Sequence, residues 1–435
     1  MEGKMAAYFK LEERGTNYKT EIMAGATTFM TMAYILSVNP SILSTTGMDI
    51  GAVFTATALA AIIATVMMAL WANLPFALAP GMGLNAFFAF TVVVGMGYTW
   101  QYALTAVFIE GILFILMSIF NIREAIVDAI PLSIKHAISV GIGLFIAFIG
   151  LTNAGVVIQG EGIPLTLGDI SSGAPLLAIL GIILTGILVA RRVKGALLIG
   201  IFATTLAGVP MGITQLPTSL LSLPPSLAPT FMQLHFSLAE ILTWDMLFVV
   251  LSFLFLDIFD TVGTLVGVAD KAGMLDKEGK LPQVKQALMA DAIGTTAGAL
   301  LGTSTVTTYV ESASGVSEGG RTGLTALATA AFFAMALFFA PVFIMIPAVA
   351  TAPALVLVGL FMIEPIRHID LKDFTEALPA FIVIIIMPMA YSISAGIFFG
   401  IISFVLIKMA CGRWKDIPWL TYLLAVLFAF ALYLN

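Results

Sequence analysis

Between residues 22 and 434 the sequence is a train of apolar stretches joined by short polar links, and that feature decides what the chain can be. A stretch of about 20 apolar residues crosses a bilayer as one helix. In lipid, each backbone polar group must find its partner within the protein. Composition agrees, with 60% hydrophobic and 10% charged residues among 435, against about 25% charged in a soluble domain. The fold class is an all-α polytopic membrane protein. No basic stripe with interleaved aromatics occurs, which excludes a nucleic-acid partner. The single Cys411 excludes an internal disulfide and a thiolate metal cluster. His136, His235 and His368 stand far apart at the ends of apolar runs, so each reads as interfacial rather than as a metal ligand. Residues 1–20 are polar and lack a signal-peptide core, so the first apolar run is expected to be a retained helix.

Spans are expected at residues 22–43, 52–71, 102–120, 137–151, 175–190, 196–209 and 246–269. Further spans are expected at 287–301, 324–346, 353–363, 379–391 and 395–409. Two stretches do not read as regular helix. Residues 73–85 carry Pro75, Pro80, Gly81 and Gly83, while 302–315 is rich in threonine. Broken backbone at membrane depth is tolerated only against protein or a wet cavity. Both stretches are therefore expected to wall a cavity, with Asn85 opening a half-helix. Counted as short broken or extended stretches in spans 3 and 10, they bring the total to about fourteen membrane segments. Residues 418–434 add an apolar segment, spanning or interfacial.

With the N-terminus in the cytoplasm, all 19 Lys and Arg fall on cytoplasmic loops. Seven spans precede the run at 246–269, so the second half enters from the opposite side. That is the pattern of a 7+7 inverted repeat, in which paired interrupted segments mark the binding site. Superposing the halves sets Asn85 against Glu311.

Asp257 and Asp260 lie in the middle of the run at 246–269, with Thr261 and Thr264 on the same helical face. Each such carboxylate costs roughly 2.5–3.5 kcal/mol at a bilayer centre. The bland reading is a polar pair gluing helices together; the functional one is a substrate or proton site, the default for intramembrane ionisable groups. Glu311 lies in Thr307-Thr-Tyr-Val-Glu-Ser-Ala-Ser-Gly315. It is either a carboxylate at a helix start, favoured by the macrodipole, or an acceptor for the N–H edge of a planar heterocycle. Asn85 could offer one donor and one acceptor to the same ligand. One of Asp257, Asp260 or Glu311 could load and release a proton, coupling uphill transport to a proton gradient without a sodium site. The neighbouring hydroxyls of residues 303–314 read mostly as helix glue, with one or two touching substrate.

The segment Thr16-Asn-Tyr-Lys-Thr-Glu-Ile-Met-Ala-Gly25 leads into Phe29-Met-Thr-Met-Ala-Tyr-Ile35. Together with Ala79-Pro-Gly-Met-Gly-Leu-Asn85, Asp257-Ile-Phe-Asp-Thr-Val-Gly-Thr264 and residues 307–315, it resembles the nucleobase:cation symporter-2 (nucleobase–ascorbate transporter) superfamily. Within that superfamily the chain looks like the purine permease branch for hypoxanthine, guanine and adenine. The resemblance implies a cytoplasmic tail at 1–20 and a core domain from 21–120 (spans 1–4) and 244–347 (spans 8–11). It implies a gate domain from 131–210 (spans 5–7) and 352–411 (spans 12–14), with 412–435 as a C-terminal apolar segment. It also implies proton-coupled purine uptake by alternating access at the cell membrane, with no enzymatic activity, no cofactor and no metal. Substrate contacts carried over by motif are Asn85, Asp257 and Glu311, extended here to the hydroxyls of Thr264, Thr308 and Ser312; Asp260 takes the proton. A wider-superfamily alignment on Val262-Gly263 instead puts Asp260 at the substrate, and both assignments stand. The partners implied are a purine nucleobase and the lipid bilayer, with a homodimer as an open arrangement. Rival readings are a uracil/xanthine-type transporter and a sulfate or bicarbonate carrier on the same fold. An intramembrane aspartyl protease fits poorly, because Asp257 and Asp260 share one helix.

Overall fold

The computed structural model describes residues 2–120, 131–160, 164–171, 173–276 and 281–434. Of the basic residues counted above, Arg123, Lys277 and Lys280 lie outside them. The first half runs through α1 (Glu2–Phe9), α2 (Tyr18–Met32), α3 (Ile35–Ser44) and α4 (Ile50–Met67), the last ending in a π-helical turn. Next come β1 (Leu78–Pro80), α5 (Met82–Ala86) with a π-helical continuation Phe87–Gly95, α6 (Trp100–Ile119) and α7 (Leu132–Asn153). A small hairpin of β2 (Val157–Ile158) and β3 (Thr166–Leu167) precedes α8 (Gly173–Ala190) and α9 (Ala196–Ala207). The second half opens with α10 (Leu238–Ile241), α11 (Trp244–Lys271), α12 (Val284–Leu301), β4 (Val306–Thr308) and α13 (Ser312–Ser317). It closes with α14 (Gly323–Ala336), α15 (Ala340–Ile344), α16 (Ala348–Phe361), α17 (Phe374–Met389), α18 (Ile393–Ala410) and α19 (Trp419–Leu434).

Helices start where a short polar side chain takes an orphan N–H. Asn17 caps α2, Asp49 α4, Thr99 α6 and Thr322 α14. Among the described residues, eight helices are long and apolar enough to cross a bilayer, and four shorter apolar helices accompany them. The chain is a multi-pass membrane protein. On α8, Leu180, Ile183 and Ile187 stand exposed in one stripe, the mark of a face turned to lipid rather than to protein.

Helix packing falls into two groups. In one, α2 packs on α14, α4 on α3, α12 and α14, and α6 on α11 and α12. In the other, α7 packs on α16 and α17, α8 on α9 and α16, and α17 on α18. The α7–α16 crossing is a backbone contact: a Cβ on Gly359 would lie 2.4 Å from the Gly143 carbonyl oxygen. Small residues allow such closeness, and in lipid that packing is the main source of helix association.

The two broken stretches meet. β1 and β4 pair antiparallel, Leu78 opposite Thr308, Ala79 opposite Thr307 and Pro80 opposite Val306. The pairing extends through Gly81 N–H to Thr305 O (3.0 Å) and Tyr309 N–H to Ala77 O (2.9 Å). Threonines from neighbouring helices satisfy the outer edges. Thr65 accepts from Leu78 N–H and donates to its carbonyl, and Thr295 does the same for Val306. The backbone is thus satisfied without helix, as lipid demands.

Three expectations are modified. The span at 22–43 falls within one membrane-crossing run, Tyr18–Ser44, whose helix is interrupted at Ala33–Tyr34 between α2 and α3. His136 and His368, distant in sequence, have ring centroids 5.4 Å apart. The segment at 418–434 forms α19, laid along α18, with Phe428 stacked on Phe398 and edge-on to Phe255 of α11.

Candidate functional site

A cavity of about 300 Å³ lies between the two helix groups, within the range of small-ligand sites. Its walls on one side are Tyr34 at the α2–α3 turn, Gly81–Gly83 after β1, Asp260, Thr264 and Gly267 of α11, and residues 307–311. On the other side are Ser139 of α7, Val358 and Phe361 of α16, and Met362, Glu364 and Pro365 beyond it. Among the described residues lining it there is no Lys or Arg.

Each wall has a local cause. The β1–β4 pairing carries Thr307, Thr308 and Tyr309 to the cavity, and the Tyr309 hydroxyl is anchored on Pro80 O at 2.6 Å. Gly81 passes so close to β4 that an added Cβ would lie 2.8 Å from Thr307 Oγ1. Glu311 is the residue before α13, and the Tyr34 hydroxyl donates to its Oε1 at 2.7 Å. Thr307 donates to Asp260 Oδ2 at 3.3 Å. Thr308 Oγ1 is buried with no hydrogen-bond partner among the described residues.

The α11 carboxylates part company. Residues four apart form a stripe along a helix, so Asp257–Thr261 and Asp260–Thr264 are two stripes, where the sequence reading had grouped all four on one face. Asp260 and Thr264 line the cavity. Asp257 is fully buried, and Thr261 Oγ1 lies 2.9 Å from both Asp257 Oδ1 and Asp291 Oδ1 of α12. Of the other expected contacts, Glu311 and Thr308 line the cavity, whereas Asn85 and Ser312 lie behind it. Ser304 donates to Asn85 Oδ1, and Ser312 Oγ accepts from Ala77 N–H at 3.0 Å. Both side chains point into the packing that holds the two strands.

Several residues here were not singled out from the sequence. Glu110 and Asp291 are fully buried carboxylates, Glu110 receiving Thr305 Oγ1 at 2.7 Å. Each interrupts an apolar run, the same signal that marks Asp257. Tyr34 lies in the segment Phe29–Ile35, and its side chain reaches the cavity from the interruption between α2 and α3. Ser139, Phe361 and Glu364 come from the second helix group and carry no local signal.

The Permease family model (Xan_ur_permease) matches residues 19–399. A Methanocaldococcus jannaschii protein bearing a permease name is 54% identical, covering 97% of this chain and 96% of its own. Adenine permease AdeP of Escherichia coli is 44% identical over 98% and 95% of the two chains. Guanine/hypoxanthine permease PbuG of Bacillus subtilis is 46% identical over 98% of each. Among solved structures, the transmembrane domain of the cyanobacterial bicarbonate transporter BicA shares the fold. Its TM-score is 0.68 at 18% identity, with 87% of this chain and 97% of that one covered. These relatives are permeases rather than enzymes. The chain belongs to this permease family, the nucleobase:cation symporter-2 superfamily.

Proposed function

We propose that the chain carries purine nucleobases into the cell together with protons, by alternating access. The observation that carries this reading is the cavity between two helix groups, with Asp260 and Glu311 on one wall and no Lys or Arg among the described residues lining it. Carboxylates accept N–H donors, which a purine offers along its edges. A carrier of anions would find no Lys or Arg there. The names of AdeP and PbuG support adenine, guanine and hypoxanthine as the substrate class.

The two packing groups serve as core and gate. Their members follow the division into 21–120 with 244–347 and 131–210 with 352–411. The meeting of β1–α5 with β4–α13, third and tenth in the chain's order, supports a 7+7 inverted repeat of fourteen spans. All Lys and Arg then face the cytoplasm with the N-terminus.

Within the site, the geometry favours exchanging the roles first assigned to the aspartates. Asp260, with Thr264, Thr308 and Glu311, faces the ligand, while Asn85 and Ser312 hold the strands that carry the wall. Asp257 takes the proton-coupling role. Thr261 has one hydroxyl hydrogen but stands 2.9 Å from an oxygen of both Asp257 and Asp291. The second contact is satisfied when one of the two acids is protonated.

Uptake of labelled purines into proteoliposomes, with and without an imposed proton gradient, tests the reading. Glu311→Gln is expected to weaken purine binding by about tenfold or more, the worth of one hydrogen bond to a charge. Uptake indifferent both to the gradient and to Glu311→Gln would sink proton-coupled purine symport.

A further inference from the structure

Tyr34 stands at the turn between α2 and α3, 99% buried, with its hydroxyl directed across the core to a carboxylate 277 residues away. The 2.7 Å contact is a charge-assisted hydrogen bond, in which the phenol donates to Glu311 Oε1. Tyr34 and Glu311 both line the cavity. A free carboxylate can receive two parallel donors, one on each oxygen. In this site the phenol already takes a lone pair of Oε1, so a ligand donor directed at that oxygen must share it.

Resting on the purine-transport reading above, we propose that Tyr34 is a specificity-determining residue. By taking one lone pair of Glu311 Oε1 it weakens that oxygen as an acceptor for a second ligand donor, and so sets the balance between purines that present one N–H on their pyrimidine edge and those that present two. Hypoxanthine offers N1–H alone on that edge. Guanine offers N1–H and an exocyclic N–H side by side, and its second donor must share Oε1 with the phenol. The neighbouring hydroxyl of Thr308, buried with no partner among the described residues, can meet a ligand acceptor on the same wall.

Tyr34 is a positioning residue in this scheme, since it acts through Glu311, and its signature is a ratio rather than a loss. Competition of guanine and hypoxanthine against a labelled purine in proteoliposomes gives the ratio of their affinities. In Tyr34→Phe the unshared oxygen is expected to raise the affinity ratio of guanine over hypoxanthine by about threefold. Incorporation of 3-fluorotyrosine at position 34 keeps the ring and strengthens the donor. It is expected to move the ratio the other way, by about twofold, and it does not depend on whether the phenylalanine variant folds. An equal loss for both purines, or a ratio unmoved in both variants, overturns the assignment while leaving purine transport intact. A wild-type protein that takes up neither purine removes the transport reading, and the inference with it.

Discussion

Glu21 is fully buried and Glu311 half-buried, each against the start of a helix, and their surroundings could hardly differ more. Glu21 Oε1 accepts from Arg321 N–H at 2.9 Å. Its Oε2 accepts from the N–H and hydroxyl groups of Thr322 and Thr325, at 2.6–3.2 Å. It ties α2 to the start of α14 and has no acceptor capacity to spare. Glu311 receives one side-chain donor among the described residues, Tyr34, and opens on a cavity. On the proposed function, the difference separates an acid that serves the fold from one that serves a ligand. Residue type alone makes no such distinction, since a carboxylate at membrane depth is costly in either case.

The comparison breaks most visibly at Glu21. Glu21→Ala strands the N–H groups of Arg321 and Thr322, while Thr325 N–H keeps the Thr322 carbonyl. Each unsatisfied donor costs roughly 1–3 kcal/mol, so a loss of about 2 kcal/mol or more in stability is expected. A thermal melt in detergent reads it, and purine affinity of the folded fraction should not change. A melting temperature equal to wild type would place Glu21 with the ligand-facing acids.

The aspartates of α11 sharpen the same contrast over three residues. Asp260→Asn removes a cavity acceptor and is expected to weaken purine binding by about a hundredfold, at the strong end for a charged hydrogen bond. Asp257→Asn leaves the cavity wall alone. It is expected to keep binding within about threefold while abolishing accumulation driven by a proton gradient. Isothermal titration separates the first effect, and gradient-driven uptake against counterflow separates the second. Lost binding in Asp257→Asn with intact binding in Asp260→Asn would restore the assignment first carried over by motif.

How far these roles are legible in the sequence follows from the range of the forces involved. Apolar runs and Pro/Gly interruptions are local, so the spans, the broken stretches at 73–85 and 302–315, and the permease resemblance can be read from residues alone. Orientation is not local. That Asp257 turns to Asp291 while Asp260 turns to the cavity depends on which helix lies beside each stripe of α11. The same holds for β1 pairing with β4 across more than half the chain, and for Glu364 arriving from the second helix group. Tyr34 is intermediate: its residue type is visible, but its aim depends on a helix break that neither Pro nor Gly marks at that position.

The smallest expected effect comes from a third kind of carboxylate, solvated and paired. Asp373 caps α17 and meets the Arg413 guanidinium at 2.5 Å. Hydrogen bonds from Arg413 and Thr375 hold its carboxyl well below the usual carboxylate range. The folded value lies below the unfolded one. Its contribution to stability is therefore complete above about pH 4, the ordinary aspartate value. It fades as the pH falls toward the folded value. Solvent and salt screen such a pair, so the contribution is slight. Melting temperatures of wild type and Asp373→Asn in detergent should differ by a small margin at neutral pH and converge in acid. Added salt should narrow the gap at neutral pH. A gap that persists undiminished at low pH and in high salt would mean that the Asp373 side chain stabilises the α17 start by its shape, and that its charge is idle.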